Sequence, residues 1–222
     1  MSCVFAFADI ASDANSPTEY TSGDYTYVLL DNNNAEITKY SGNAETIEIP
    51  SHLDGYAVKS IGDEAFYSCS GLASVDLPNG LLSIGNLSFA YCSNLSQINL
   101  PDSLTYIGDE AFASCDSMLQ FTLPDSVIYL GSNPFTECDL LTDVVVSPDN
   151  SSFATIDGVL FRKQDKCLVW YPKAFTEESY VVPQGIQIIG NSAFHECTSL
   201  TDVYYGGAIE QWKTISIGSN NT

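Results

Sequence analysis

Apolar residues recur along this chain in one fixed frame, Ile-Gly-x-x-x-Phe-x-x-Cys. It occupies Ile61 to Cys69, Ile84 to Cys92, Ile107 to Cys115, Leu130 to Cys138 in a variant form, and Ile189 to Cys197. The first four frames start 23 residues apart (84−61, 107−84, 130−107). A period between about 20 and 29 with fixed aliphatic positions marks a solenoid, because one such repeat cannot bury its apolar side alone and does so against the next. Apolar-x-apolar triplets accompany the frames: Ile47/Ile49, Val75/Leu77, Ile98/Leu100, Phe121/Leu123, Val144/Val146, Tyr180/Val182 and Val203/Tyr205. Their alternation predicts seven short strands with one side facing the core. Pro50, Pro78, Pro101, Pro124 and Pro183 follow five of them directly, and a residue without an N–H ends the ladder there. The predicted fold class is a mainly β solenoid, a right-handed superhelix of about seven 23-residue rungs.

The period breaks once. Leu130 and Ile189 are 59 residues apart, or 23 plus 36, while Val182-Pro183-Gln184-Gly185 repeats Leu77-Pro78-Asn79-Gly80 in register. Extra chain therefore enters ahead of an intact rung. It reads as a β-meander on the side of the solenoid: Phe153 to Ile156, a turn at Asp157-Gly158, Val159 to Arg162, a turn at Lys163 to Lys166, then Cys167 to Tyr171. Ahead of the repeats, the β-rich runs Tyr25 to Leu30 and Ala35 to Tyr40 flank Asp31-Asn32-Asn33-Asn34 and read as a hairpin laid across the first rung as an end cap. The resulting division is a tail at 1–20 and one domain at 21–222. Within it 21–45 is the cap hairpin, 46–148 the regular repeats, 149–178 the insertion, 179–205 the last rungs and 206–222 a C-terminal cap segment in which Trp212 packs on the end. Cys3 to Asp9, with small residues at Ala6 and Ala8, is similar to the tail of an export signal without its basic start.

Seven Lys plus Arg against 28 Asp plus Glu give a net charge of −21, which repels phosphate backbones and anionic lipid heads. Nucleic acid is excluded as a default partner. No apolar run approaches the roughly 18 residues a membrane span needs, so direct membrane insertion is not expected of this stretch. A hydrophobic share of 45% fills a core and argues against disorder. Four of the seven basic residues, Arg162, Lys163, Lys166 and Lys173, fall in the insertion, a local reversal of charge.

Candidate chemistry is sparse. Stacked positions one rung apart, ~4.8 Å, are too far and too parallel for the disulfide geometry of converging Cβ atoms ~3.5–4.5 Å apart. Cys69, Cys92, Cys115, Cys138 and Cys197 therefore read as small buried hydrophobes, without the paired spacing of zinc sites. Cys167 is expected to pack inside the meander. Phe66, Phe89, Phe112, Phe135 and Phe194 read as an internal stack. His195-Glu196-Cys197 imitates part of a catalytic group, but its Cys is a ladder position facing inward. Asp63-Glu64, Asp109-Glu110 and Glu177-Glu178 carry no weight as a glycosidase pair among 28 acids. Asp149-Asn150 and Asp31 to Asn34 offer oxygen atoms without a calcium-loop spacing. No catalytic residue, metal site or cofactor is assigned.

What remains is the outward side of the strands. If Val75 and Leu77 point in, Ser74 and Asp76 point out. One outward column is Thr46, Ser74, Gln97, Gln120, Asp143, Ser179 and Asp202; the other is Glu48, Asp76, Asn99, Thr122, Val145, Val181 and Tyr204. The candidate ligand-binding residues are Ser74, Asp76, Gln97, Asn99, Gln120, Thr122, Asp143 and Tyr204. The second column turns from acid and amide to apolar and aromatic, so Val145, Val181 and Tyr204 are either an interaction strip or are covered by the meander or the C-terminal segment. Seven strands at ~4.8 Å give a face about 30 Å long and ~10–15 Å wide, of order 300–450 Å². A stable interface takes ~800 Å² per partner. Binding by this face alone is expected to be weak and to gain from multiple copies.

The pattern Pro-x-x-x-x-x-Ile-Gly-x-x-Ala-Phe-x-x-Cys-x-x-Leu-x-x-Ile-x-Leu, read with small changes from Pro101 to Leu123 and in neighbouring rungs, resembles the BspA-like, or Treponema pallidum type, leucine-rich repeat family. The likeness runs from about Tyr25 to Ile217 and takes in Asp157-Gly158-Val159-Leu160 and Glu210-Gln211-Trp212. Leu87-Ser88-Phe89 and Asn133-Pro134-Phe135 depart from Ala-Phe, and Met118 stands in for a Leu. The resemblance implies a secreted or cell-surface protein of a host-associated microbe, adhesin-like, with no catalytic motif to carry over. The expected partner is a protein or glycan ligand on host or neighbouring cells. The alternative is a structural spacer that presents another domain of a larger surface protein.

Overall fold

The computed structural model describes residues 17–30 and 33–221. The signal-like segment Cys3 to Asp9, Asp31, Asn32 and Thr222 lie outside the described residues.

The chain winds into a β-solenoid of about seven turns. One side of the turns carries strands of three or four residues in three separate sheets, and the other carries mostly two-residue strands in two sheets, one up to Tyr129–Leu130 and one from Phe153–Ile156 onward. The longer strands pair in parallel in three groups: Thr46–Glu48 with Ser74–Asp76 and Gln97–Asn99, Gln120–Leu123 with Asp143–Val146, and Ser179–Val182 with Asp202–Tyr205. On the opposite side Ser83–Ile84, Tyr106–Ile107 and Tyr129–Leu130 pair in parallel, and Ile37 and Ile61 head the same column.

The repeat frame has a physical reason at each fixed position. The Gly after each Ile donates its N–H to the Ile carbonyl of the preceding rung, as Gly85 does to Ile61 and Gly108 to Ile84, both at 2.8 Å. A Cβ on Gly108 would lie 2.6 Å from the backbone nitrogen and Oδ1 of Asn86, closer than side chains tolerate. The residue after that Gly caps the next rung: Asp63 Oδ1 accepts from Asn86 N at 2.7 Å, Asn86 Oδ1 from Asp109 N at 2.8 Å, and Asp109 Oδ1 from Ser132 N at 2.7 Å. Inside, Tyr40, Phe66, Phe89, Phe112 and Phe135 stack ring on ring at 4.8 to 6.2 Å. The ladder cysteines do more than fill a corner. The thiols of Cys92, Cys115 and Cys138 donate to the carbonyls of Phe66, Phe89 and Phe112 at 3.2, 3.3 and 3.0 Å, which satisfies one buried backbone acceptor per rung.

The structure refines four expectations. The N-terminal hairpin forms, Tyr25–Leu30 antiparallel to Asn34–Tyr40, and covers the first rung by extending its sheet. Asn34–Tyr40 pairs in parallel with Tyr56–Ile61 and Tyr40 stacks on Phe66, while Glu19–Ser22, a strand beginning inside the expected tail, pairs with Tyr25–Val28. The meander does not sit on the side. Its strands Phe153–Ile156, Val159–Arg162 and Cys167–Trp170 fall where the alternation places them, but the last pairs in parallel with Ile188–Ile189 and serves as a rung. The C-terminal cap segment adds a strand of its own: after the helix Ile209–Trp212, Ser216–Ile217 pairs with Ile188–Ile189 and Gly218 donates to Ile189 at 2.8 Å. Trp212 is half-buried against Tyr205, ring to ring at 5.9 Å. Finally Val203, expected inward, is exposed, because no described rung packs on the far side of its strand.

Candidate functional site

The eight residues singled out on the longer-strand side stand on three hydrogen-bonded groups rather than one sheet. Ser74, Asp76, Gln97 and Asn99 are brought together in register, Ser74 beside Gln97 and Asp76 beside Asn99. Gln120, Thr122 and Asp143 lie on the second group, and Tyr204 lies beside Val181 on the third. Neighbouring rungs tie their outward side chains together: the Asn99 amide donates to Asp76 Oδ1, and Gln120 Nε2 donates to Asp143 Oδ2 at 3.0 Å. These bonds hold Asp143, like Ser74, half-buried, whereas Asp76, Gln97, Asn99, Gln120 and Thr122 are exposed. The acid-and-amide part of the face is thus a fixed array of donors and acceptors.

The apolar strip is not covered. Val145 is 38% exposed, Val181 55% and Tyr204 56%, so neither the insertion nor the C-terminal segment packs over it. Two of the four insertion cations are paired with carboxylates where they stand. Arg162 makes a two-pronged contact with Asp165 at 3.0 and 2.7 Å, which holds that carboxyl below its usual range. Lys173 sits 2.8 Å from both Asp139 and Glu196, and Lys163 donates to the Asn150 carbonyl.

The groups that mimic catalytic chemistry are arranged against it. Burial pushes the Cys197 thiol up to about 11, and that thiol points at the backbone carbonyls of Tyr171 and His195 at 3.8 and 3.6 Å, not at an imidazole. A nucleophilic Cys needs the opposite shift. Burial likewise pushes Cys92 up to about 12. Cys167 is buried as expected. Cys69 and Cys197, at the two ends of the ladder, are half-buried rather than enclosed. Glu137, His195 and Glu196 bring three ligand atoms within 4.8 Å of one another, but the Lys173 ammonium at Glu196 already supplies a counter-charge.

Sequence reasoning passed over the outward column of the other sheet: Ser60, Ser83, Tyr106 and Tyr129. Two-residue strands are too short to show alternation, yet the residue before each Ile of the frame was the signal.

A sequence model of the BspA type leucine rich repeat region matches residues 34–167 and 172–219 in six copies. The chain belongs to the BspA-type leucine-rich repeat family. The four residues between the two matched stretches are Leu168 to Tyr171, where the insertion strand hands over to the next rung. Of the solved structures, the pneumococcal vaccine antigen PcpA is similar with a TM-score of 0.68 and 21% identity, covering 91% of this chain and 67% of that one. A leucine-rich repeat protein from Bacteroides capillosus has 34% identity and a TM-score of 0.53 over 58% of this chain and 98% of its own. The T. pallidum leucine-rich repeat protein has 23% identity and a TM-score of 0.54, covering 90% of this BspA-type chain and 86% of its own. No curated protein matches the chain. No helix among the described residues is long and apolar enough to cross a membrane.

Proposed function

We propose that this BspA-type repeat protein is a non-catalytic recognition module, secreted or held at the cell surface, that binds a protein or glycan ligand of a host or neighbouring cell through the outward side of its longer strands. The observation that carries the reading is the exposure of Val145, on the strand of the tethered Asp143, and of the neighbouring Val181 and Tyr204. A water-facing apolar strip with a polar surround is what an interface core with its rim looks like before its partner arrives. A solenoid without a closed catalytic cleft offers an extended surface of this kind. The naming of PcpA as a vaccine antigen supports exposure to a host.

The test is a pull-down with purified protein against immobilised host matrix proteins and glycans. A variant with Gln97, Asn99, Gln120 and Thr122 all replaced by Lys alters only exposed side chains and is expected to melt within a few degrees of the parent. It should lose the captured ligand at least tenfold, since four added positive charges break the electrostatic match of the polar columns beside the apolar residues. Capture unchanged in that variant refutes the strand-face reading.

A further inference from the structure

The opposite sheet carries a feature that the strand-face reading leaves unused. In its outward column Tyr106 and Tyr129 stand on adjacent rungs with rings stacked at 4.6 Å and 2° apart in plane. Each ring spends one face on the other. Along the column the free face of Tyr106 looks toward Ser83 and Ser60, and that of Tyr129 looks past the end of the sheet, where the strand ladder stops ahead of the insertion. A groove opens at each free face. The first, of about 480 Å³, is lined by Glu36, Thr38, Ser60, Asp63, Ser83 and Tyr106. The second, of about 270 Å³, runs between Tyr129, Ser132 and Asn133 on one side and Arg162 and Asn191 on the other.

Polar side chains line both grooves. In the first groove Ser83 Oγ donates to Ser60 Oγ at 3.0 Å and Ser60 Oγ donates to Glu36 Oε2 at 2.7 Å, a relay that ends on a carboxylate and leaves Ser83 Oγ free to accept.

We propose that the Tyr106–Tyr129 column is a carbohydrate-binding site, in which a neutral sugar ring lies on the free face of Tyr106 above Ser83 and a second ring reaches the free face of Tyr129. A pyranose has the two properties the grooves call for. Its C–H side packs on the electron-rich face of an aromatic ring, and its rim of hydroxyls donates to Ser83 and Glu36. The empty slot beside Tyr106 is one rung thick, ~4.8 Å, which suits a ring stacked in the ladder. Glu36 and Asp63, on a chain of net charge −21, disfavour sialylated, sulfated or phosphate-bearing ligands, nucleotides included.

The experiment is binding of the intact protein to a printed array of neutral and anionic oligosaccharides, with Tyr106→Ala, Tyr129→Ala, Ser83→Trp and Tyr91→Ala in parallel and melting temperatures as the check on folding. Tyr91 is an exposed tyrosine elsewhere on the molecule. The expected result is retention of neutral glycans that falls at least tenfold in Tyr106→Ala, in Tyr129→Ala and in Ser83→Trp, whose indole fills the slot, and persists in Tyr91→Ala. The assignment is overturned if no neutral glycan is held, if only anionic glycans are held, or if Ser83→Trp binds as well as the parent. Retention that is lost in the four-lysine strand-face variant but kept in Tyr106→Ala also overturns it, by placing the sugar on the other sheet.

Discussion

Between Ile61 and Cys138 each rung copies the one before it, whereas from Ser147 to Glu178 the chain supplies a rung by other means. The regular stretch is held by a Gly N–H to an Ile carbonyl, an Asp or Asn cap, a Phe in the stack and a Cys thiol on the Phe carbonyl of the previous rung. In the insertion Leu168 takes the Ile place and receives Gly190 N–H at 2.9 Å, while Tyr171 takes the Phe place, its N–H on the Ala193 carbonyl at 2.9 Å. Those positions are three apart in sequence instead of the five from Ile107 to Phe112, and Trp170 closes the gap by packing edge-on to Phe135 at 5.5 Å. Asn150, almost fully buried, then joins the two regions: its amide donates to the carbonyls of Pro124 and Val127 at 2.9 and 3.4 Å, and its Oδ1 accepts from the N–H groups of Ser152 and Phe153, both at 2.8 Å. The comparison teaches that the solenoid demands filled slots and satisfied backbone groups, not particular residues.

The strongest way to break that comparison is in the regular stack. Phe112→Ala removes a ring in contact with Phe89, Phe135 and Phe121, at 5.6, 6.2 and 5.0 Å, and is expected to cost about 3–5 kcal/mol in a denaturant melt. Phe194 packs on Tyr171 and Tyr180 alone among aromatic rings, and the same change there should cost less, since a rung near the end has fewer neighbours and relaxes. Equal losses would contradict nearest-neighbour packing. Next in size is Asn150→Ala, which strands four backbone groups at the junction and is expected to cost about 2–4 kcal/mol, with Asn150→Asp at least as costly because it buries a carboxylate against two carbonyl oxygens. A neutral Asn150→Ala would show that the side chain does not join the regions.

The smallest effect concerns the thiols. Cys115→Ala removes one buried hydrogen bond and should cost about 1 kcal/mol. The thiols of Cys115 and Cys92 are held protonated, the first by the neighbouring Cys138 thiol and by burial, the second chiefly by burial. Iodoacetamide at neutral pH should therefore reach the half-buried Cys69 and Cys197 before Cys92, Cys115 or Cys138, by mass spectrometry of native protein. Labelling of Cys92 or Cys115 as fast as Cys197 would refute their enclosure.

The period was legible because a one-rung offset puts like residues in contact, so Phe stacks on Phe and the pattern repeats at each Ile-Gly. The three insertion strands were legible from alternation and the Asp157-Gly158 turn. Their place in the ladder was not, since Leu168 stands 38 residues after Leu130 and pairs forward with Ile189. Ser216–Ile217 was hidden for a similar reason: the helix at Ile209–Trp212 lengthens that turn to 28 residues from Ile189 to Ile217. Glu19–Ser22 is polar and shows no alternation to read. In the candidate site, outward positions such as Gln97 and Thr122 followed from the pleat, but the tether from Asn99 to Asp76 and the free faces of Tyr106 and Tyr129 depend on side-chain geometry that spacing does not contain.

The central claim is that the insertion is a rung, so the regular repeats and the last rungs form one cooperative scaffold. The chain has two tryptophans, Trp170 in the junction and Trp212 near the last strand, so Trp212→Phe leaves Trp170 as the sole indole reporter. Equilibrium unfolding of that variant in urea, followed by Trp170 fluorescence and by far-ultraviolet circular dichroism on the same samples, tests the claim directly. The account predicts one transition with coincident midpoints. A Trp170 transition that is complete while most of the β signal remains would contradict it.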